Sequence, residues 1–431
     1  MSTLGLLTLL FHGFQRNNMS RITQVFDNKN TQDKCIYLMT KSFRIHNNYT
    51  LEEAINFAET KGLELVIHIV EVYEENSKNI KFFKDMIEDL PNRLKEFSST
   101  VNYKKRDEIT EDLLSDANAI FIDKAYLRFD LNFYETVKMI AYKNGKNLFT
   151  VESNVFVPVS VASDKEEYSA KTIRNKINSK LSEYRDECLV DYDLTKAEFE
   201  AFDTLKDFID NKINNYHLHN DPSLEYTSWL SPYLKYGFIS PVTIYNKMSS
   251  IKDDNVETFL EELIVRRELA YNFVYYNPTY DDFNYMTYDW AYKTMNHHLN
   301  DEREYIYTKD DYTNFRTHDQ YFNAAMKEMI YNGRMNSYMR MYWCKKIIEW
   351  SRTYKEAYHT AIELNNYYFL DGLTPNGYCG VAWCFGKHDR AWTERPIFGK
   401  LRYMNSNGLE RKFDIAEYVN KMNNEEKRIK I

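Results

Sequence analysis

The stretch RMYWCKKIIEW, residues 340–350, is the most informative part of this 431-residue sequence. Read as a helix, it places four large side chains on one stripe: Met339, Trp343, Ile347 and Trp350. Four of the six tryptophans lie within residues 343–392. Tryptophan and methionine at helical spacing usually fill a core, so the stretch first predicts a buried helix in an aromatic-rich helical domain.

Charge is distributed unevenly along the chain. The formal net charge is −8, but residues 333–412 contain 13 Lys and Arg against 7 Asp and Glu, a local net of +6. A basic face on an acidic protein attracts phosphate backbones. A solvated surface of mixed charge would give the same numbers, so charge is only compatible with a nucleic-acid partner.

Composition excludes several protein classes. The length suits two or three domains, and 12 Gly with 8 Pro exclude collagen-like and disordered chains. The five cysteines form no CxxC pair, which favours a reducing compartment and no structural zinc. No apolar run reaches the roughly 20 residues that a membrane helix needs. We expect an intracellular protein, cytoplasmic or nuclear, without a membrane partner, that begins with a disordered leader over residues 1–33.

Residues 34–160 alternate between strand and helix patterns, which predicts a Rossmann-like parallel α/β domain. Thr50 and Glu53 are spaced as the capping box of the first helix. The predicted strands are Cys35–Met39, Leu63–Val72, Ala119–Asp123 and Leu148–Val151. The other predicted helices are Phe82–Phe97 and Phe133–Asn144.

The remainder of the sequence predicts helices only, giving an α/β domain followed by a large all-helical domain. We divide it into a helical linker region, residues 161–215, and a helical domain, residues 216–431. The predicted helices are Asp164–Glu187, Leu194–Asn215, Tyr233–Met248, Val256–Tyr275, Asn323–Tyr331, the Trp343 helix and Tyr354–Asn365.

Several strings occur in the order typical of one protein family. They are VASDKEEYSAKTIR (161–174), SWLSPYLKYG (228–237), EELIVRREL (261–269), THD (317–319), RMYW (340–343), LDG (370–372), PNG (375–377) and HDRAWTERPIFGKLRYM (388–404). With these strings the chain resembles the class II cyclobutane pyrimidine dimer photolyases, within the photolyase/cryptochrome superfamily. The resemblance implies that residues 34–160 form an antenna domain and residues 216–431 an FAD-binding catalytic domain.

The resemblance also implies an activity. Reduced FAD donates an electron to a pyrimidine dimer in DNA, and the cyclobutane ring opens under light. Enzymes of this kind flip their target out of the duplex. We expect damaged DNA as the partner, a monomer in solution, and FAD as the cofactor. Whether a second, antenna chromophore of the deazaflavin type is also bound is left open.

Site residues follow from the resemblance, position by position. The residues implied to bind the flavin are Tyr226, Thr227, Ser228, Leu230, Ser231, Arg340, Asn365 and Asp371. Arg340 and Asp371 match an ion pair beside the flavin ring, and Asn365 matches the amide that faces it. Those implied to contact DNA or the dimer are Asn220, Met341, Trp383, Trp392, Lys400 and Arg402. Glu262 matches the acid that hydrogen-bonds the dimer, with Glu261 as its neighbouring competitor.

Electron transfer from the protein surface forms a separate expectation. Trp343 and Trp350 match the proximal and distal tryptophans of the family's transfer route. The middle position is Phe322, flanked by Tyr321, and phenylalanine is very hard to oxidise. We expect the usual photoreduction route to be interrupted while repair by reduced flavin continues.

Two alternative functions share this fold. One is a cryptochrome-like blue-light flavoprotein without repair activity, and the other is a degraded flavoprotein that only binds DNA. Retention of the dimer-contacting candidates favours repair, whereas Phe322 supports the second alternative.

Overall fold

A six-stranded sheet forms the N-terminal part of the structure, a computed structural model that describes residues 21–189 and 192–429. Its strands are β1 (Ile22–Phe26), β2 (Lys34–Met39), β3 (Glu64–Val70), β4 (Thr100–Lys104), β5 (Ala117–Asp123) and β6 (Asn147–Val151). Their order across the sheet is β1-β6-β5-β2-β3-β4. All neighbours pair in parallel except β1, which runs antiparallel to β6. The predicted parallel α/β domain is confirmed, with β1 and β4 as additional strands.

Two predictions near the N-terminus are wrong. The predicted leader over residues 1–33 extends too far, because β1 and its register with β6 belong to the sheet; residues 1–20 lie outside the described part of the chain. The first helix begins after Asn48, whose side chain accepts from the Leu51 amide. Thr50 is therefore already helical, and its hydroxyl donates to Asp123 instead of capping (2.8 Å).

Helices cover both faces of the sheet and bury two apolar layers against it. They are α1 (Tyr49–Lys61), α2 (Ser77–Met86), α3 (Leu90–Leu94) and α4 (Arg128–Lys143). The predicted helix Phe82–Phe97 is divided between α2 and α3. Pro91 at the start of α3 explains the break, because proline suits a first helical turn and disrupts a helix interior.

The rest of the chain is helical and contains two further cores. Its helices are α5 (Val159–Ala162), α6 (Ala170–Asn178), α7 (Leu181–Tyr184), α8 (Lys196–Asp207), α9 (Ser231–Lys235), α10 (Pro241–Met248), α11 (Asp254–Leu260), α12 (Arg267–Tyr276), α13 (Asp289–His297), α14 (Lys309–Thr313), α15 (Gln320–Asn332), α16 (Ser337–Trp350), α17 (Tyr354–Tyr368), α18 (Pro375–Cys384), α19 (Ser406–Lys412) and α20 (Ile415–Ile429). A π-helical turn, Glu261–Arg266, joins α11 to α12. Among the described residues, no helix is both long and apolar enough to cross a membrane.

Two predicted helices are interrupted. Asp164–Glu187 contains α6 and α7, separated where Asn178 and Ser179 weaken the helix. Tyr233–Met248 is broken between α9 and α10, because Gly237 adopts a left-handed φ of 66° and Pro241 starts a new helix. The proposed limits of the three domains remain predictions.

Buried contacts fix the two regions against each other. Arg44 is buried and donates to the carbonyls of Ser153 and Gly237, each at 2.7 Å. A Cβ on Gly237 would lie 2.2 Å from the Lys41 carbonyl oxygen, so only glycine permits this close approach. The stripe of Met339, Trp343, Ile347 and Trp350 lies in the large helical core, as predicted; none is more than 2% exposed.

Candidate functional site

The N-cap residue of helix α16 also forms a hydrogen bond with a turn that is distant in sequence. Asn336 accepts from the Tyr338 amide (2.9 Å) and donates to the carbonyl of His219 (2.8 Å). This places α16 beside the turn that contains the half-buried Asn220. Arg340 lies at the end of the first turn of this helix, where its side chain forms an ion pair.

The ion pair proposed between Arg340 and Asp371 is present. Nη2 of Arg340 lies 3.0 Å from Oδ1 of Asp371, and Nη1 lies 3.3 Å from Oδ2. The guanidinium also lies over the Phe369 ring, 3.8 Å from its centroid. Both charged side chains stay partly accessible, at 28% and 15% exposure. The pair therefore presents a fixed polar edge instead of being sealed in the core.

The segment 226–231 contains an unsatisfied buried hydroxyl. Oγ1 of Thr227 is buried and has no hydrogen-bond partner in the described part of the structure. Ser228 accepts only a long bond from the Leu230 amide (3.4 Å). Trp229 has a φ of 53°, which is strained for a non-glycine residue, and Arg334 stacks on its ring at 4.2 Å. An unpaired buried hydroxyl is costly, so this segment fits a polar ligand such as a phosphate.

The other three predicted flavin-binding residues of the segment 226–231 differ in exposure. Tyr226 is half-buried, Leu230 is buried, and Ser231 is exposed where α9 begins. Gly333, which precedes Arg334, accepts from the amide of Leu370 (2.8 Å), the residue before Asp371. The segment, the ion pair and the start of α16 therefore form one continuous group.

Asn365 lies near the end of α17 and is 2% exposed. Its Nδ2 donates to Oδ1 of Asn366 (3.0 Å). Two glycines pass close to it: a Cβ on Gly377 would lie 2.7 Å from Nδ2, and a Cβ on Gly372 would lie 2.6 Å from its carbonyl oxygen. Gly377 of the PNG string thus packs against the side-chain amide of Asn365, and Gly372 of the LDG string packs against its backbone.

Glu262 and Glu261 face different partners from the π-helical turn. Glu261 forms a salt bridge with Arg174, with a shortest distance of 2.7 Å. Glu262 accepts from the hydroxyl of Tyr216 (2.6 Å) and lies 3.6 Å from Nε2 of His219. Burial, followed by the charge of Glu262, raises the pKa of Tyr216, so the tyrosine remains a donor. Glu262 therefore shares a polar cluster with the turn at α16, whereas Glu261 is engaged elsewhere.

A cation stacked between tryptophans forms the second group. The Arg402 guanidinium lies 4.1 Å from the Trp392 ring centroid and 4.9 Å from that of Trp383. Asp389 accepts from Nε of Arg402 (3.0 Å) and from Nε1 of Trp392 (3.3 Å). The carbonyl of the exposed Lys400 accepts from the Trp392 amide (2.9 Å). Both indoles are half-buried, which leaves stacking surface in a polar setting.

Lys345 links this group to α16. It is buried, and burial lowers the pKa of its ammonium group. Its ammonium donates to the carbonyl of Cys384 and lies 5.9 Å from the Trp383 ring. Met341 is half-buried one helical turn earlier, on the same face as Lys345. The predicted dimer-wall residues Met341 and Trp383 therefore face the same side of α16.

The tryptophans assigned to electron transfer both pack on α15. Trp343 donates through Nε1 to the Met326 sulfur (3.0 Å). Trp350 lies edge-on to Phe322, with ring centroids 5.2 Å apart. Met326 and Phe322 are one helical turn apart, so Phe322 lies on the expected path. Tyr321 points its hydroxyl to Glu410 (2.8 Å), a different direction.

Sequence reasoning missed five residues that position these groups: Tyr216, Arg334, Lys345, Phe369 and Asp389. Asp389 lies inside the quoted string 388–404, which was a usable signal. Lys345 lies inside the opening stretch 340–350, but its role, like those of the other three, follows only from contacts between segments distant in sequence.

Comparisons with known proteins show the family and the fold. A profile described as DNA photolyase matches residues 35–197. The deoxyribodipyrimidine photo-lyase of Methanothermobacter thermautotrophicus is 39% identical, and the alignment covers 90% of this chain and 94% of that protein. The chain belongs to the DNA photolyase family. The enzyme of the same name from Oryza sativa subsp. japonica is 40% identical over 64% of this chain and 63% of the rice protein.

Solved photolyase and cryptochrome structures share the fold. A Synechocystis cryptochrome superimposes with a TM-score of 0.73 at 12% identity, covering 91% of this chain and 88% of that one. An archaeal photolyase from Sulfolobus tokodaii, solved with two FAD molecules, gives 0.64 at 16% identity, with 90% and 89% covered. At such identities the likeness shows the fold alone.

Proposed function

We propose that this photolyase repairs cyclobutane pyrimidine dimers in DNA under light, as a class II enzyme that uses FAD. The observation that carries the proposal is the Trp383–Arg402–Trp392 stack beside α16, which offers flat apolar walls and a cation. Aromatic walls bind flipped bases by stacking, at about 1–3 kcal/mol per base. The 39% identity to a named deoxyribodipyrimidine photo-lyase over nearly its whole length supports the same function.

The flavin fits the first group of residues. Thr227 and Ser228 would hold the phosphates, which would satisfy the buried Thr227 hydroxyl. Arg340, Asp371 and Asn365 would border the ring. When bound and reduced, FAD supplies the electron that starts dimer splitting. The protein's own contribution is orientation and charge, which the Arg340–Asp371 pair would supply at the edge of the ring.

Glu262 is assigned to the dimer. Tyr216 and His219 hold its carboxyl group, whereas Glu261 is occupied by Arg174. We assign Glu262, as the acid, to donate a hydrogen bond to the dimer's carbonyl oxygens, where it would stabilise negative charge that appears only after electron transfer. Trp383 and Met341 would enclose the flipped dimer, and Lys400 with Arg402 would contact the backbone.

A second chromophore could bind in a cleft between the described helices. The crevice between the carboxyl ends of β2 and β5 has a volume of about 40 Å³ and is lined by Lys41, Asp123 and Asn154. A cleft of about 890 Å³ lies between α4 and α17 and is lined by Phe129, Tyr368 and Tyr378 among others. A deazaflavin-type antenna would fit only the larger of the two. Energy transfer from an added deazaflavin to FAD, abolished by Phe129→Asp, tests this placement; transfer unaffected by that variant would contradict it.

Dimer counting tests the proposed function. Reduced protein is mixed with an oligonucleotide that carries one thymine dimer, and the dimer is quantified in light and in darkness. We expect loss of the dimer in light only, and no change in an oligonucleotide carrying a (6–4) photoproduct. A flavin-loaded protein that leaves the dimer intact under light would instead indicate the cryptochrome-like alternative.

A further inference from the structure

Three potential metal ligands meet outside the proposed flavin and dimer sites. They are His297 at the end of α13, His298 directly after it, and Glu394 in the loop before residue 399. Their ligand atoms all lie within 4.8 Å of one another. The imidazole and carboxylate groups come from two segments about 96 positions apart, so this proximity is a tertiary feature of the fold.

His298 is already oriented as a metal-binding histidine would be. Its Nδ1 lies 2.7 Å from Oδ2 of Asp301, which leaves Nε2 directed toward Glu394 at 3.0 Å. A carboxylate on the far ring nitrogen fixes the tautomer and ring orientation of metal-ligating histidines. Asp301 also accepts from the Ile397 amide (2.7 Å), so the same carboxylate holds the loop that carries Glu394.

Close packing keeps the loop against α13. The amide of Lys400 donates to the hydroxyl of Thr294 (2.9 Å). A Cβ on Gly399 would lie 2.2 Å from that hydroxyl oxygen and 2.8 Å from Cδ2 of His298. Gly399 has a φ of 51°, so glycine serves both the conformation and the approach. These contacts hold α13 and the loop together, which brings the three side chains close to one another.

We propose that His297, His298 and Glu394 bind one divalent transition-metal ion of the Zn²⁺ class. Two imidazoles and one carboxylate suit such an ion, with water as the fourth ligand in tetrahedral geometry. The ion would join α13 to the loop that carries Trp392 and Arg402. An ion pair explains His298 and Glu394 without a metal, but it gives His297 no role.

Metal titration of the full-length protein tests the proposal. Tag-free protein is stripped with a chelator and titrated with Zn²⁺ against a chromophoric indicator, and with Co²⁺, whose visible bands report tetrahedral geometry. We expect one ion per chain and binding at least tenfold weaker in His297→Ala and Glu394→Gln. His359→Ala is the matched control, since it removes an exposed histidine elsewhere in the helical region.

Each alternative result would overturn the site. Absence of binding at micromolar Zn²⁺ would contradict it, and so would unchanged binding in His297→Ala, which is the outcome expected of an ion pair alone. Circular dichroism confirms that each variant is folded, and Zn²⁺ should raise the melting temperature of the wild type and the control only.

Discussion

Two aspartates show how differently the two regions use buried polar groups. In the α/β region, Asp123 is 3% exposed and its Oδ2 accepts from three successive backbone amides, those of residues 40–42, at 2.9–3.2 Å. Its other oxygen accepts from Thr50 (2.8 Å). In the helical region, Asp371 has Arg340 as its ion-pair partner and keeps an accessible face. The carboxylate of Asp123 has both oxygens occupied by hydrogen-bond donors of the protein, whereas the carboxylate of Asp371 is accessible enough to accept a further bond from a ligand.

The same difference holds around each aspartate. The crevice next to Asp123 has a volume of about 40 Å³. The candidate site in the helical region contains the unpaired Thr227 hydroxyl, the strained Trp229 and half-buried tryptophans. We infer that Asp123 holds the fold, whereas the polar side chains of the candidate site, Asp371 among them, serve to bind the cofactor and DNA. Each prediction below tests one side of this contrast.

Matched substitutions of the two aspartates should have the largest effects, and they should be opposite in kind. Asp123→Asn removes the charge that several donors share, so we expect a loss of about 3 kcal/mol in the free energy of unfolding. Asp371→Asn should leave the melting temperature nearly unchanged and weaken FAD binding on the order of 100-fold. Thermal melting and flavin titration of both variants check this. A stable Asp123→Asn variant, or an Asp371→Asn variant with normal FAD affinity, would break the contrast.

Loss of the stacked tryptophan should affect recognition of damage. Trp383→Ala should reduce the preference for dimer-containing over intact DNA about tenfold or more, in line with the value of one stacking contact. Arg402→Ala should weaken damaged-site binding, and binding should fall with salt because counterions are released. Arg411→Ala, in the same basic stretch, is the control. Fluorescence anisotropy at several salt concentrations measures these effects; wild-type affinity and discrimination in both variants would show that the pocket lies elsewhere.

Restoring a tryptophan on α15 should accelerate photoreduction. Phe322 packs on Trp350 one turn from the Trp343 contact, and phenylalanine does not conduct by hopping. We expect Phe322→Trp to speed photoreduction of oxidised flavin on the order of tenfold while repair by reduced protein stays the same. Transient absorption follows both. Equal rates in wild type and variant would identify another carrier. Tyr342 would then be the first to test, since its buried hydroxyl donates to Asp319.

The smallest predicted effect concerns pH and a residue that joins the regions. Glu268 is buried and accepts from the amides of Phe156 and Val157, and burial raises its pKa from 4.5 to about 7. Between those pH values the folded state keeps a proton that the unfolded state has lost, so stability falls as pH rises. Glu268→Gln should flatten this fall, by a few degrees in melting temperature between pH 5 and 7.5. Parallel pH profiles for wild type and variant would contradict the assignment.

The sequence predicts the interior of each region better than its edges. The parallel strands and the α16 stripe follow from apolar patterns that burial enforces. Strands β1 and β4 lie at the sheet edges, are only half-buried, and so carry a weak apolar signal. The predicted start of α1 was wrong because the spacing of Thr50 and Glu53 matches a capping box, although the Thr50 hydroxyl donates to Asp123 and does not cap the helix.

The sequence could propose which residues belong to the candidate site, but not how they contact one another. Family strings supplied Arg340, Asp371 and Glu262, yet not what holds them. Arg174 distinguishes Glu261 from Glu262, and it lies 87 positions from Glu261. Asp389 anchors Arg402 within one string, whereas Arg334 and Lys345 act on distant partners. Such contacts depend on how helices pack, and local patterns do not contain that information.

The central claim is that the polar side chains of the candidate site, Glu262 among them, serve ligand chemistry and not folding. The most direct test compares Glu262→Ala with Glu261→Ala in fully reduced protein, by measuring dimers split per absorbed photon together with the melting temperature. We predict that Glu262→Ala lowers the quantum yield severalfold with less change in dimer binding or melting temperature, because Glu262 acts on charge formed after electron transfer. Glu261→Ala should keep the full yield. A full yield in Glu262→Ala, or a loss of yield only where the melting temperature also falls, would contradict the account.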